Sequence, residues 1–420
     1  MPNGRMENTM KALVLCGGIP QIALVKELKS RGITTILADM NEKAPAVKYA
    51  DQFFPVSVLD VEAVKALAVS EKVDFLITVC ADQVLEVVAK VAEELNMPWY
   101  IDNTTAENVS KKSYMKKIFV ENGVPTSKHI ILDKFDEKAI AGLSFPIIVK
   151  PVDAYSSRGV RRVDNMEELK EAFDEAIEIS RGKNAVVEEF VEGDELSVDV
   201  YIENGVAKVL CVCALKKIGE DGKFVIHRGI YPPPVPAVVL DKINDAAQKI
   251  ATAFRLENSP MLIQLINNGE NISVVEFCAR TGGGVKYSYI KRVTGFDVVK
   301  AVVDLTLGNK PHYDGNKNKT FIVNEFLYCY EGELDRVEGL EELLNEGIIT
   351  EYNILKAPGY KFGPIKSSGD RVAFYTVETD SYEETAKNCL IASQRVKVIS
   401  KDGKDILRHD LTEKRIIDEQ

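Results

Sequence analysis

The order of strand, glycine turn, helix and strand in the first hundred residues restricts the fold more than any other feature. "KALVLCGG" is an apolar run closing on a glycine pair, "IPQIALVKELKSRG" has helical spacing, and "ITTILADMN" is apolar again. "VDFLITVCAD" and "QVLEVVAKVAEELNM" repeat the alternation. Strands separated by helices pair in parallel, so residues 1–104 predict a Rossmann-like sheet with ligands beyond its strand carboxyl ends. Gly17 and Gly18 occupy the first turn without completing GxGxxG, and Asp39 only suggests a ribose contact, so a tight turn is preferred to a dinucleotide site.

From about residue 105 the pattern changes. One helix is expected over "AENVSKKSYMKKIFVENG", stopped by Gly123 and "VPT". Strand "FPIIVK", loop "PVDAYSSRGV", helix "NMEELKEAFDEAIEISR" and strand "AVVEEFV" follow as a compact α/β unit. "ELSVDVYI", "VAKVLCVCAL", "MLIQLINNG" and "ISVVEF" then read as strands with hairpin spacing. Residues 105–310 form a second domain on this reading, and 311–420 a mixed α+β region entered through the loop "HYDGNKNK".

Composition narrows the function. A net charge of −11 argues against nucleic acid or an anionic membrane as the main partner, and no apolar run approaches the ~18 residues of a membrane helix. Residues 1–10 are a polar leader without the apolar middle of an export signal. Seven cysteines without CxxC spacing speak against a disulfide framework or structural zinc, so a reducing cytoplasm is expected. A homodimer is the default for a chain of this size.

Three stretches can carry chemistry. In "IVKPVDAYSSRGV", Lys150 closes a strand and a polar loop follows whose N–H groups can wrap phosphate, although this is no Walker A motif. "VVEEFVEGDELSV" places Glu188, Glu189 and Glu195 about a tight turn, with groups an adenine or ribose can use. In "MLIQLINNGENISVVEFCARTGGG" a hairpin brings Gln264 and Glu276 to one face, as oxygen ligands for Mg²⁺. Arg280 can neutralise a phosphoryl group, and Gly282, Gly283 and Gly284 allow close approach of a substrate. The blander alternative is a local ion pair between Glu276 and Arg280. Arg228, in "HRGIYPPPVP", is a candidate clamp for a substrate carboxylate.

Taken in order, the helix with Lys112, the Lys150 strand and loop, "EEFVEGDE" and "EFCARTGGG" resemble the ATP-grasp superfamily across about 100–310. The flavour is that of carboxylate–amine ligases such as L-amino acid ligases, together with carbamoyl-phosphate-synthase-like proteins. The resemblance implies a two-lobed domain with a mobile lid at about 124–191, preceded by a small α/β domain. It implies Lys112 and Lys150 as phosphate-facing lysines, Lys112 being preferred to Lys111 by its distance from Gly123. Ser156, Ser157 and Gly159 become the loop over the phosphates, Glu188 and the Val191 backbone the adenine edge, Glu195 the ribose contact, and Lys216 a weaker member of that cluster. Glu276 and Gln264 would hold Mg²⁺, with Glu276, Arg280 and Lys150 serving catalysis on ATP.

The chain departs from the family pattern twice. Gln264 stands where an acid is usual, and Cys278 where asparagine is common; a thiol is too soft to favour Mg²⁺ and is read as packing. The expected activity is ATP-dependent joining of a small carboxylate to an amine, amino acids among the candidates, through an acyl phosphate. The alternatives are a bicarbonate-activating enzyme of carbamoyl-phosphate or purine type, and an ATP-binding module without turnover.

Overall fold

Strands that are apolar on both faces need cover on both sides. The computed structural model describes residues 9–154, 158–218 and 225–412. In it β1 (Lys11–Leu15), β2 (Thr34–Ala38), β3 (Gln52–Phe54) and β4 (Phe75–Ile77) form a parallel sheet in the order β3-β2-β1-β4. Ala12 and Val14 cluster with Leu24, Val25 and Leu28 of the helix Ile19–Ser30, while Leu13 and Leu15 cluster on the other face with Val64, Leu67 and Val88. This is the two-sided burial a parallel sheet requires. The first face is completed from far along the chain by Val299, Val302 and Val303, and Asp304 pairs with Arg31 at 2.6 Å.

The single helix expected over 106–123 is two. Asn103–Ser110 is capped by Asp102, whose carboxylate accepts the Thr105 N–H at 2.6 Å, and Lys112–Glu121 follows. Lys111 between them is extended (φ −90°, ψ 102°). The second helix buries Lys112 and Lys116, four apart on one face, while Lys111 stays exposed beside Glu107.

Four antiparallel strands follow: β5 (His129–Leu132), β6 (Ile147–Pro151), β7 (Arg161–Val163) and β8 (Ala185–Glu189), ordered β5-β8-β6-β7. The helix Met166–Ile179, capped by Asn165, lays Leu169, Ala172, Phe173 and Ala176 on them at helical spacing.

The largest sheet takes β9 (Asp194–Glu203), β10 (Val206–Lys217), β11 (Ile226–Tyr231), β12 (Ser259–Asn268) and β13 (Asn271–Cys278). Beyond residue 310 come β14 (Phe321–Leu327), β15 (Gly332–Glu338), β16 (Glu351–Ile354), β17 (Lys361–Phe362), β18 (Ala373–Thr379) and β19 (Lys397–Ser400). Three of these extend the same sheet, whose order is β13-β12-β9-β10-β11-β14-β18-β16; the others form β17-β15-β19. The loop 312–319 is tied down where Glu203 pairs with Lys208 and accepts from the Tyr313 N–H at 3.3 Å.

Two bulges in this sheet decide which side chains face which way. On β13, Gln264 opposes Glu276 but Leu265 opposes Val274, so Val275 is extra. On β11, Lys216 opposes Arg228 but Lys217 opposes Ile226, so His227 is extra. An extra residue reverses the facing of everything after it. Among the described residues no helix is long and apolar enough to cross a membrane.

Candidate active site

A cleft of ≈ 960 Å³ opens between the β5–β8 sheet and the β12–β13 hairpin. Lys112, Lys150, Glu188, Val191, Glu195, Gln264 and Glu276 all line it, seven of the positions expected from sequence. The bulge at Val275 is the local reason on β13: Ser273 and Val275 face the cleft by alternation, and the reversal adds Glu276 directly after. Gly159, at φ +73°, lies in the β6–β7 connection, where a Cβ would stand 2.7 Å from Ile179. Ser156 and Ser157 lie outside the described residues.

The cleft wall contains a buried charge cluster. Both oxygens of Glu188 are engaged, Oε1 by Lys150 at 2.5 Å and Oε2 by Lys116 at 2.6 Å and by the Ser127 hydroxyl at 2.7 Å. Lys116 also donates to Thr126 Oγ1 at 2.7 Å, whose hydroxyl donates to the Val274 carbonyl at 2.8 Å. Helix, β8, β6 and β13 are thereby connected through one polar network. Burial alone would raise the Glu188 pKa, but Lys150 and then Lys116 overcome it and hold the carboxyl well below the usual carboxylate range. Burial pushes Lys116 down to about 8 despite the opposing pull of Glu188. Lys116 was missed from sequence, although its spacing from Lys112 on one helix face was the available signal.

Lys112 donates to the Ala154 carbonyl at 2.8 Å and pairs with Glu276 at 3.3 Å. Glu276 therefore does not pair with Arg280, and the local ion-pair reading fails. The Gln264 amide donates to Glu195 at 3.3 Å, so what it offers a cation is one carbonyl oxygen. Glu276 and Gln264, opposed in register, are a sparse oxygen set; among the described residues no cluster of three or more His, Cys, Asp or Glu could hold a metal. Such a set suits Mg²⁺, which takes one or two protein oxygens and completes its shell with phosphate and water. Burial pushes the Cys278 thiol well above its ordinary range, and Asp82 adds to the rise, which keeps the sulfur protonated and a poor ligand.

Lys216 and Arg228 require correction. Because they oppose each other across β10 and β11 on the far side of the bulge, they face away from the cleft. Lys216 pairs with Asp194 at 3.1 Å, and it is Lys217 that lines the cleft and pairs with Glu195. Arg228 is fully buried, ion-paired to Glu325 on β14 and donating to the Thr412 carbonyl at 3.1 Å. It is a structural arginine in the sheet and no substrate clamp.

A second cleft of ≈ 1130 Å³ shares Gln264, Glu276 and Ile226 with the first and runs past Arg280, Gly283 and Gly284. Arg280 is held by Asp82 from the segment after β4, with Nε to Oδ1 at 2.5 Å and a second bond from Nη2; Nη1 donates to the Thr281 carbonyl at 2.6 Å. Asp82 was missed, though its place beyond the carboxyl end of a parallel strand is where such a residue belongs. Asp39, the acid at the end of β2, accepts the Gly17 N–H at 2.7 Å and so fixes the turn preferred there from sequence. The Gly282 N–H donates to Asp199 at 2.9 Å, and Asp199 pairs with Lys286, whose ammonium donates to Ser197 at 2.6 Å. A Cβ on Gly282 would lie 2.4 Å from that Asp199 oxygen. Gly282→Ala is therefore expected to displace the glycine strap and raise the substrate KM at least tenfold with nucleotide affinity unchanged, checked by steady-state kinetics beside nucleotide titration.

Comparisons with known proteins agree with this frame. Residues 143–288 match the ATP-grasp domain, 13–98 the PylC-like N-terminal domain and 325–400 the L-amino acid ligase C-terminal domain 2. A formate-dependent phosphoribosylglycinamide formyltransferase of Actinobacillus pleuropneumoniae serotype 3 is 26% identical over 59% of this chain and 63% of its own length. A carbamoyl-phosphate synthase of Methanobrevibacter smithii is 30% identical over 42% of this chain and 48% of its own. The chain thus spans less than two thirds of the length of these curated relatives. The L-amino acid ligase from Bacillus licheniformis superimposes with a TM-score of 0.80 at 22% identity, over 94% of this chain and 99% of that one. Motif order, cleft and domain matches together identify residues 143–288 as an ATP-grasp domain, set between a PylC-like amino-terminal domain and an L-amino acid ligase type carboxyl-terminal domain.

Proposed function

We propose that the protein is an ATP-dependent ligase that joins a carboxylate to an amine. The observation that carries this reading is the pair of connected clefts. The first is lined by Lys112, Lys150 and Glu276, and the second begins at Glu276 and Arg280 and runs along the glycine strap. A carboxylate oxygen in the second cleft attacks the γ-phosphorus of ATP, and the bond to the ADP oxygen breaks. The amine nitrogen then attacks the acyl carbon, forming C–N and releasing phosphate, while the amine gives up a proton. Lys112 and Lys150 orient the phosphates, Arg280 offsets charge on the transferring group, and the strap admits the carboxylate close to the backbone. Mg²⁺, held by Glu276 and Gln264, would supply charge neutralisation on the phosphates when bound.

The names of the relatives support ATP-grasp ligase chemistry, and the match at 325–400 favours an amino acid among the substrates. The test is ADP and phosphate release from Mg·ATP against a matrix of amino acids and short carboxylates, with and without bicarbonate. Release that needs two organic partners is expected. Release that follows bicarbonate alone would overturn the reading for a carboxy-phosphate enzyme, as the match to a carbamoyl-phosphate synthase allows.

The uncharged Gln264 favours one second reading, nucleotide binding without turnover. Gln264→Glu tests the metal role on which that reading turns. It is expected to lower the Mg²⁺ concentration for half-maximal ADP release several-fold, because a second carboxylate joins Glu276; an unchanged Mg²⁺ dependence would remove Gln264 from the metal site.

A further inference from the structure

The second cleft ends on a turn supplied by the carboxyl-terminal region, where Lys366, Ser368 and Arg371 line its wall. The Arg371 guanidinium lies 3.6 Å from the centroid of the Phe326 ring, with Nε donating to the Tyr328 hydroxyl at 2.9 Å and Nη2 to the Ile226 carbonyl at 3.2 Å. All three partners are uncharged. The acid of the turn, Asp370, accepts the N–H groups of Lys366 and Ser367 at 2.8 and 2.9 Å, which rigidifies the turn. Among the described residues no carboxylate pairs with Lys366 or Arg371. The other cations of this cleft differ: Arg280 is paired with Asp82 and Lys286 with Asp199.

Two cations on one wall, neither paired with a carboxylate among the described residues and one stacked on an aromatic ring, make a receptor for an anion. We propose that the substrate in this cleft carries, besides its reacting group, a second anionic group that docks on Arg371 and Lys366. Its chemistry is that of a phosphate ester or an additional carboxylate. The inference rests on the ligase reading for which substrate is meant, but the anion site exists or fails independently of turnover.

The test uses the full chain saturated with AMP-PNP and Mg²⁺, so that the γ-phosphate position is filled. Inorganic phosphate and succinate are titrated calorimetrically into wild type, Arg371→Gln and Lys366→Gln. At least one anion is expected to bind wild type and to bind each variant at least tenfold more weakly, with AMP-PNP affinity equal in all three. Preference for phosphate assigns a phosphorylated substrate, and preference for succinate a dicarboxylic one. No binding of either anion to wild type, or equal binding to the variants, overturns the proposal. Should Arg371→Gln lose AMP-PNP binding through misfolding, the exposed Lys366 carries the test alone. A protein that binds the anion yet releases no ADP with any substrate pair would sink the ligase reading and leave this site standing.

Discussion

Glu188→Ala is expected to destabilise the protein by about 3–5 kcal/mol, the cost of leaving buried cations without their counter-charge. The Lys150 and Lys116 side chains are 5% and 1% exposed, so both ammonium groups are poorly hydrated once the carboxylate is gone. Thermal unfolding of Glu188→Ala, Lys116→Met and the double variant measures the effect. The double variant should recover part of the loss, because it removes one of the two stranded charges along with the acid. Simple additivity would show that the network is not energetically coupled. The pH dependence has a defined sign. Glu188 is held below its unfolded value of ~4.5, so its stabilisation is complete above that pH and is lost progressively as pH falls toward the folded value. Glu188→Gln should flatten the acid limb of stability. Lys116 is also held below its unfolded value and gives a slope of the same sign: between about 8 and the ordinary 10.5 the unfolded chain binds more protons, so stability rises with pH across that window too.

Arg280→Ala is expected to lower kcat by about 10²–10³-fold, the range for removing one preorganised charge-stabilising donor. Nucleotide affinity should change little, because Arg280 lines the second cleft and is not among the residues lining the first. Arg280→Lys should fail to rescue, since a single ammonium cannot make two parallel bonds to Asp82. Asp82→Asn keeps the shape and removes the charge that orients the guanidinium. It should cost roughly tenfold in kcat. Normal turnover in Arg280→Ala would remove it from the chemistry and leave it a link between the parallel sheet and the glycine strap.

Local patterns carried much of this. The parallel sheet was legible because strand, turn and helix follow within short windows, and the β12–β13 hairpin because one turn brings Gln264 opposite Glu276. Lys112, Lys150 and Glu276 sit at element ends, where sequence marks them. Facing within strands was less legible. A strand looks the same with or without an extra residue, yet the bulge at His227 sends Arg228 into the sheet interior, and Lys217 occupies the place expected of Lys216. The break at Lys111 was hidden because nothing there is a helix breaker. Arg371 could not be found, since its partners Phe326, Tyr328 and Ile226 lie up to 145 positions away.

The ladder between β11 and β14 joins Arg228↔Glu325 through Tyr231↔Ile322 and carries the large sheet past residue 310. Main-chain hydrogen bonds of this kind open together, so amides of β9–β11 and of β14 should exchange with solvent at one common rate, as a single cooperative unit. A fragment ending near residue 310 would leave the β11 edge bare and Arg228 without its carboxylate, inviting self-association. The first cleft and the carboxyl-terminal wall are consequently tied together: a graft of one onto another scaffold must carry both strands of that ladder.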